Sequence, residues 1–303
     1  MKTKVSLLIL SIVIIAALII SCQTVMKVAD VGAQIAGATG VIDSNTAGAI
    51  SQSARAIGTA AEEITPEQEY YIGRAVAANI LGTYRLWNGN PALTAYLNNI
   101  CAAITINSPR PELFHGYRVA ILDSNEINAF ATSGGHIFVT RGLIAAARSE
   151  DALAGVIAHE VAHIQLQHSI KAIRNSRVTQ AILITGTSAA GAAAGMNVAE
   201  LTNVFNESVG EIVQTLVTNG YSRDQEFEAD NTAMSLMAGA GYNPSALIEM
   251  LRALSTVQTS GAGFGRTHPT PAQRITNAER SVARYRVTDT SAQRQARFTA
   301  ATR

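Results

Sequence analysis

The sequence is short of three things. Aromatic residues make up 5% of its 303 residues, charged residues 15%, and cysteine occurs twice. The charges nearly cancel, with 23 Lys and Arg against 22 Asp and Glu and a formal net charge of +1. A near-neutral chain gives no electrostatic reason to expect nucleic acid or a strongly charged partner. Two cysteines can form one bridge at most, and their settings argue against it. Cys22 closes an apolar N-terminal segment, and Cys101 lies in the apolar stretch 97–106. Cys101 is therefore expected to be a buried free thiol. No internal repeat is visible. What the chain does have is small and apolar residues: 48% are hydrophobic, 23 are glycine, and alanine is abundant. Such a composition suits closely packed helices, and the length suits one large domain or two small ones.

The N-terminus reads as an address. Lys2 and Lys4 precede an uncharged apolar run from Val5 to Ile20. The run is long for a signal core and short for a membrane span of about 20 residues. Ile19-Ile20-Ser21-Cys22 resembles a bacterial lipobox, which implies cleavage before Cys22 and lipidation of its thiol. An uncleaved signal anchor is the alternative. Either way the body of the chain is expected to be exported and tethered, several acyl chains giving a firm hold. Gln23 after the cysteine resembles an outer-membrane destination facing the periplasm.

Residues 23–62 are rich in Ala, Gly, Ser and Thr and read as a spacer. The folded domain is expected over 63–286, opening on Thr65-Pro66-Glu67-Gln68, an N-cap, a helix-starting proline and a capping box. Helices are predicted to about Leu81 and over 92–104. Tyr117–Leu122 and His136–Thr140 alternate as strands, with a hairpin turn at Ser133-Gly134-Gly135. A short helix follows over 142–148. Ser149 then caps a strong helix, with Glu150 and Asp151 in its first turn and Leu153, Val156, Ile157 and Ile164 along an apolar face. That helix is expected to run past Lys171. Residues 178–199 carry no charge; a membrane span and a packed or membrane-grazing helical hairpin both stand as readings. Further helices are expected over 207–219, 224–238, 244–254 and 271–284, with a flexible Ser260–Gly263 loop and a loose polar tail over 287–303. The fold class is mainly α with a small antiparallel β-sheet.

The chemistry sits in His159-Glu160-Val161-Ala162-His163. On a helix, positions i and i+4 share a face, about 6 Å apart along the axis. Two imidazoles so placed can bind one metal ion. Glu160, about 100° round the helix, can act as general base on a water at the metal without being a ligand. Three fixed positions in five recur by chance; an amphipathic helix and a credible third ligand raise the reading above chance. The metzincin spacing needs Gly at 166 and His at 169, where this chain has Leu166 and Ser169. His168 falls one residue short and is not expected to bind the same ion. A Glu from a later helix is the other solution. In Ser222–Asp230, Glu226 and Asp230 are four apart on one face. Glu226 can complete the site while Asp230 accepts a hydrogen bond from a ligand imidazole. Glu228 points elsewhere and reads as a solvated acid.

These stretches resemble the HtpX-like and CAAX-prenyl-endopeptidase family of zinc peptidases, a gluzincin group, and most of all its BepA-like periplasmic branch. The resemblance is carried by Asn128-Ala129-Phe130-Ala131 with Gly134-Gly135, then Thr140-Arg141-Gly142-Leu143 and the His159–His163 motif. Ser222-Arg223, Glu226, Ala229-Asp230 and Thr267-His268-Pro269 follow. It covers roughly residues 65–285. It implies one zinc ion per chain on His159, His163 and Glu226, with Glu160 as base and Asp230 in support. It also implies an active-site edge strand over Gly135, His136, Ile137 and Phe138 to Thr140, to which an extended substrate adds as a β-strand. Unfolded or misassembled envelope polypeptides are then the expected substrates. The chain ends soon after the family stretch, with no room for the helical-repeat domain of that branch, so independent recruitment of partners is not expected.

His268 is open to three readings: oxyanion stabiliser, occupant of zinc's open position that holds the enzyme latent, or structural turn histidine. Arg223 is expected to pair with a carboxylate near the site or to position substrate. His115 and His136 read as ordinary surface or strand residues. Two rivals to a working peptidase remain at this point, a chaperone-like assembly factor on the same scaffold and a purely structural metal site. Only three ligands are evident and neither cysteine is near, which favours an open catalytic position.

Overall fold

The structure, a computed structural model, describes residues 64–171, 219–257, 271–285 and 292–303 continuously, with isolated positions elsewhere that include Thr267 and His268. Cys22 and the signal segment, nearly all of the spacer, the uncharged run 178–199 and the Ser260–Gly263 loop lie outside the described residues. Among the described residues no helix is long and apolar enough to cross a membrane. The chain divides into two compact units, residues 1–63 with 173–204 and residues 64–172 with 205–303. Every element below belongs to the second.

Helix α1 (Pro66–Thr83) starts as its sequence dictates. The Thr65 hydroxyl accepts from the Gln68 N–H, and the Gln68 side chain accepts from the Thr65 N–H. Helix α2 (Pro91–Thr105) is capped by Asn90, which accepts from the Leu93 N–H at 3.0 Å. Cys101 on α2 is a buried free thiol, and burial pushes its pKa up to about 12.

The sheet corrects the sequence reading. Its strands are β1 (Arg118–Leu122), β2 (Ala129–Thr132) and β3 (His136–Thr140), in the order β1-β3-β2. β2 and β3 form the expected antiparallel hairpin, but β1 pairs with β3 in parallel. The sheet is therefore mixed, because two chain reversals between β1 and β3 restore the original direction. Gly135–Thr140 does not form an edge either: β3 is the central strand, with β1 and β2 on its two sides. Side-chain alternation puts Val119, Ile121, Ala129, Ala131, Ile137 and Val139 into the core shared with α2 and the helix α4 described next.

Thr140 ends β3 and caps α3 (Arg141–Ala146), its hydroxyl accepting from the Leu143 N–H and from the Asn128 N–H ahead of β2. Helix α4 (Glu150–Gln165) carries the metal-binding motif and is capped by Ser149. All its residues from Glu150 to Ile164 are buried, so it is enclosed on every side rather than lying on the surface with one wet face. It packs against α5 (Arg223–Gly239), α6 (Ser245–Val257), α2 and β2. Contrary to expectation it stops at Gln165: Gln167 takes the left-handed conformation (φ 56°), and helix resumes at His168. Helix α7 (Pro271–Val282) follows His268.

The expected loose tail is a helix, α8 (Ala292–Thr302), with Phe298 in the core. Most of the helix is exposed, but two of its arginines pair with acids far back in the chain. Arg297 donates to the Glu150 carboxylate at 2.6 Å, and Arg294 donates to Asp151 at 3.0 Å. Both acids are buried in the first turn of α4. Arg294→Ala is expected to cost about 1–3 kcal/mol, because the Asp151 charge stays buried with one partner fewer. Chemical denaturation of the two proteins measures it, and Arg294→Lys should restore part of the loss.

Candidate metal centre

Three parts of the fold converge on one point. α4 presents His159 and His163 one turn apart, with Glu160 beside them. The capping box at the start of α5, where Ser222 and Gln225 bond reciprocally, fixes where that helix begins and so aims Glu226 and Asp230 inward. The segment before α7 brings His268, tied to the start of β2 by a bond from the Thr267 hydroxyl to Asn128 Oδ1 at 3.1 Å. One donor atom from each of His159, His163, Glu226 and His268 lies within 4.8 Å of the others, and all four residues are buried.

The spacing of the donors fits a metal ion. His159 Nε2 lies 3.0 Å from His163 Nε2 and 3.2 Å from His268 Nδ1. Glu226 Oε1 lies 3.0 Å from His268 Nδ1 and 3.5 Å from His163 Nε2, and its Oε2 lies 3.5 Å from His159 Nε2. Four N and O ligands at ~2.0–2.1 Å in a tetrahedron stand about 3.4 Å from one another. Imidazole nitrogens that face each other without a cation between them have little reason to gather in a dry interior.

Charges surround the group. Asp230 Oδ1 accepts from His159 Nδ1 at 3.0 Å, which turns Nε2 toward the centre. Arg274 of α7, fully buried, pairs with Glu226 Oε2 at 2.8 Å and with both Asp230 oxygens at 2.7 and 2.8 Å. Burial is the largest single influence on Glu226 and Asp230 and opposes their ionisation. Arg274 together with the neighbouring histidines (His268, His159 and His163 at Glu226, His159 at Asp230) outweighs it and holds both carboxyls below their ordinary range. Burial and Arg274 also oppose a charge on His159, yet Asp230 and Glu226 carry its pKa up to about 9. His163, with burial dominant, is held well below the usual histidine value. Burial pushes Glu160 the other way, above the ordinary carboxylate range, the direction a general base near neutral pH requires. Glu160 Oε1 is buried with no hydrogen-bond partner, 3.5 Å from His268 Nε2. The ring of Tyr221 stacks on His163 at 4.0 Å and 17°.

The structure thus brings together His159, Glu160, His163, Glu226, Asp230 and His268. Arg223 stays outside: it is largely exposed, pairs with its neighbour Asp224 at 3.2 Å and lies over Phe227. At the first position of α5 it shares the helical phase of Glu226 and Asp230 but stands at the exposed N-terminal end of the helix, short of the buried site. Sequence reasoning missed Arg274 and Tyr221. The need for Arg274 shows only in the assembled site, where three buried carboxylates gather and call for a cation. His168, set aside as a ligand, lies against His163, Nδ1 to Nδ1 2.8 Å.

A buried His-Glu-x-x-His helix, a glutamate from a later helix and an adjoining small sheet define a metallopeptidase of the zincin type. Residues 91–282 match Peptidase family M48, and the chain belongs to that family. Mitochondrial metalloendopeptidase OMA1 of Schizosaccharomyces pombe is 29% identical to it over 61% of this chain and 52% of its own length. A beta-barrel assembly-enhancing protease of Escherichia coli is 25% identical over 70% of this chain and 43% of its own. Metalloprotease LoiP of Escherichia coli is 27% identical over 50% of this chain and 57% of its own. The chain spans about half the length of the curated relatives it matches.

Proposed function

We propose that this protein is a zinc-dependent endopeptidase of the cell envelope, lipid-anchored through Cys22, that cuts unfolded or misassembled envelope polypeptides. The observation that carries the catalytic part is Glu160, a buried carboxylate with a raised pKa beside a cluster of N and O donors spaced for a metal. A ligand set of imidazole and carboxylate without thiolate suits zinc in a catalytic role. When bound, the ion would supply Lewis acidity toward the scissile carbonyl and the attacking water. Glu160 takes the proton from that water and passes it to the departing amine. Asp230 holds His159 in the tautomer that directs Nε2 inward, and Arg274 keeps Glu226 and Asp230 ionised.

For the substrate, β2 replaces β3 as the strand that would receive an extended chain. Asn128 pairs with Thr140 and Phe130 with Phe138, so the antiparallel alternation turns the N–H and C=O of Ala131 toward the outer side. Recognition through backbone suits unfolded chains over one fixed sequence. Two relatives carry names that fit this reading, a beta-barrel assembly-enhancing protease and a metalloendopeptidase.

A second reading, a latent protease acting mainly as a chaperone-like assembly factor, draws support from His268. Its Nδ1 stands where a fourth ligand would stand, beside Glu160, and β2 and all four donor residues are buried. The test combines zinc stoichiometry with cleavage of unfolded casein by the full chain and by His268→Ala. Occlusion by His268 predicts one zinc in both and faster cutting by His268→Ala. A loss of cutting in the variant assigns His268 to the oxyanion instead, and equal rates remove both roles. If neither protein holds zinc, the peptidase reading is wrong.

A further inference from the structure

The two histidines of the motif receive different support. His159 meets a carboxylate directly, Asp230 at 3.0 Å. His163 meets another imidazole: its Nδ1 lies 2.8 Å from Nδ1 of His168, whose Nε2 lies 3.3 Å from Glu228 Oε2. The directions are mutually consistent. His168 can donate from Nε2 to the Glu228 carboxylate, which leaves its Nδ1 lone pair to accept from His163 Nδ1–H. His163 then presents Nε2, without a proton, to the point where the four donors meet.

The backbone is shaped for this contact. Had α4 continued, His168 would sit five residues beyond His163, about 500° round the helix and so off its face. The left-handed residue Gln167 ends α4 and turns His168 back. A side chain other than glycine in that conformation needs outside support. Gln167 has it: its side-chain amide donates to the buried Glu69 of α1 at 3.1 Å, and Arg110 donates to the same carboxylate at 3.0 Å. Arg110 also donates to the Ile164 carbonyl in the last turn of α4 at 3.3 Å.

From this geometry we infer that His168, backed by Glu228, is the positioning residue for the ligand His163. The kink at Gln167, anchored by Glu69 and Arg110, is the device that delivers it. The inference rests on the metal-centre reading above. It gives Glu228 a task, where its sequence position suggested only a solvated acid.

The test is zinc affinity of the full-length protein, by competition with a chromophoric chelator, for wild type, His168→Leu and His168→Gln. His168→Leu keeps the bulk but offers no acceptor, and should weaken zinc binding about 10- to 100-fold. His168→Gln can still accept from Nδ1 and should recover most of the affinity. Thermal midpoints of the metal-free proteins separate this from a packing role, which would lower stability and leave affinity alone. Should His168→Leu fail to fold, Glu228→Gln, at a half-exposed side chain, serves instead, with a loss of several-fold expected. Affinity within two-fold of wild type in the folded variants overturns the inference and leaves the metal centre standing. Failure of the wild type itself to bind zinc overturns both.

Discussion

Glu160→Gln should lower the turnover of an active form by about 10² to 10⁴, the usual contribution of a general base, while zinc stays bound in one-to-one ratio. The amide is nearly isosteric with the acid and reaches the same space, but it cannot take a proton. Its neighbours need not move, because Glu160 Oε1 makes no hydrogen bond that the amide would break. The measurement is steady-state cleavage of unfolded casein, with metal content taken on the same samples. His268→Ala is the background in which to do it if His268 limits the wild type. Undiminished cutting with zinc in place would move the base to another group and remove the main support for the proposed mechanism.

Arg274→Met should be the most destabilising single change near the site. Arg274 is fully buried and holds Glu226 and Asp230, both also fully buried. Losing one partner of a buried pair costs about 3–5 kcal/mol, because the remaining charge is left uncompensated. Urea denaturation of the metal-free proteins at neutral pH reads this directly. The pH dependence fixes the cause. The pKa of Asp230 is lowered in the folded state, against burial, by Arg274. Its contribution is therefore complete above the ordinary carboxylate pKa and lost as pH falls toward the depressed one. The gap between wild type and Arg274→Met should narrow below a pH of about 3.9. A gap that does not change with pH would assign the loss to packing.

Much of this centre was legible in the sequence. A five-residue motif on a helix needs no tertiary information to place two imidazoles, and Glu226 and Asp230 follow from the same four-residue spacing on a second helix. The capping box at Thr65 marks where its helix begins because its bonds are local, whereas the box that Ser222 and Gln225 form was overlooked and α5 was expected to start at Asp224. What was not legible depends on partners far along the chain. Alternation identifies β1 and β3 as strands but says nothing about which strand lies between which, and the edge position of β3 rested on the family resemblance alone. The end of α4 turns on Glu69, nearly 100 residues before Gln167, whose support no helical periodicity reveals. The tail reads as loose because its arginines are polar, and only the fold shows that Arg294 and Arg297 meet acids at the start of α4. Arg274 was missed for the same reason, since an arginine on a short polar helix gives no sign of being fully enclosed.

The enclosure of α4 has a kinetic side. Among the described residues all four donors are at most 3% exposed, so an ion that reaches or leaves them passes between packed side chains. Loading and loss must then wait for the fold to open around the helix. The lifetime of the bound ion is set by how often that opening occurs, and two proteins of equal affinity could differ widely in how long they keep their metal.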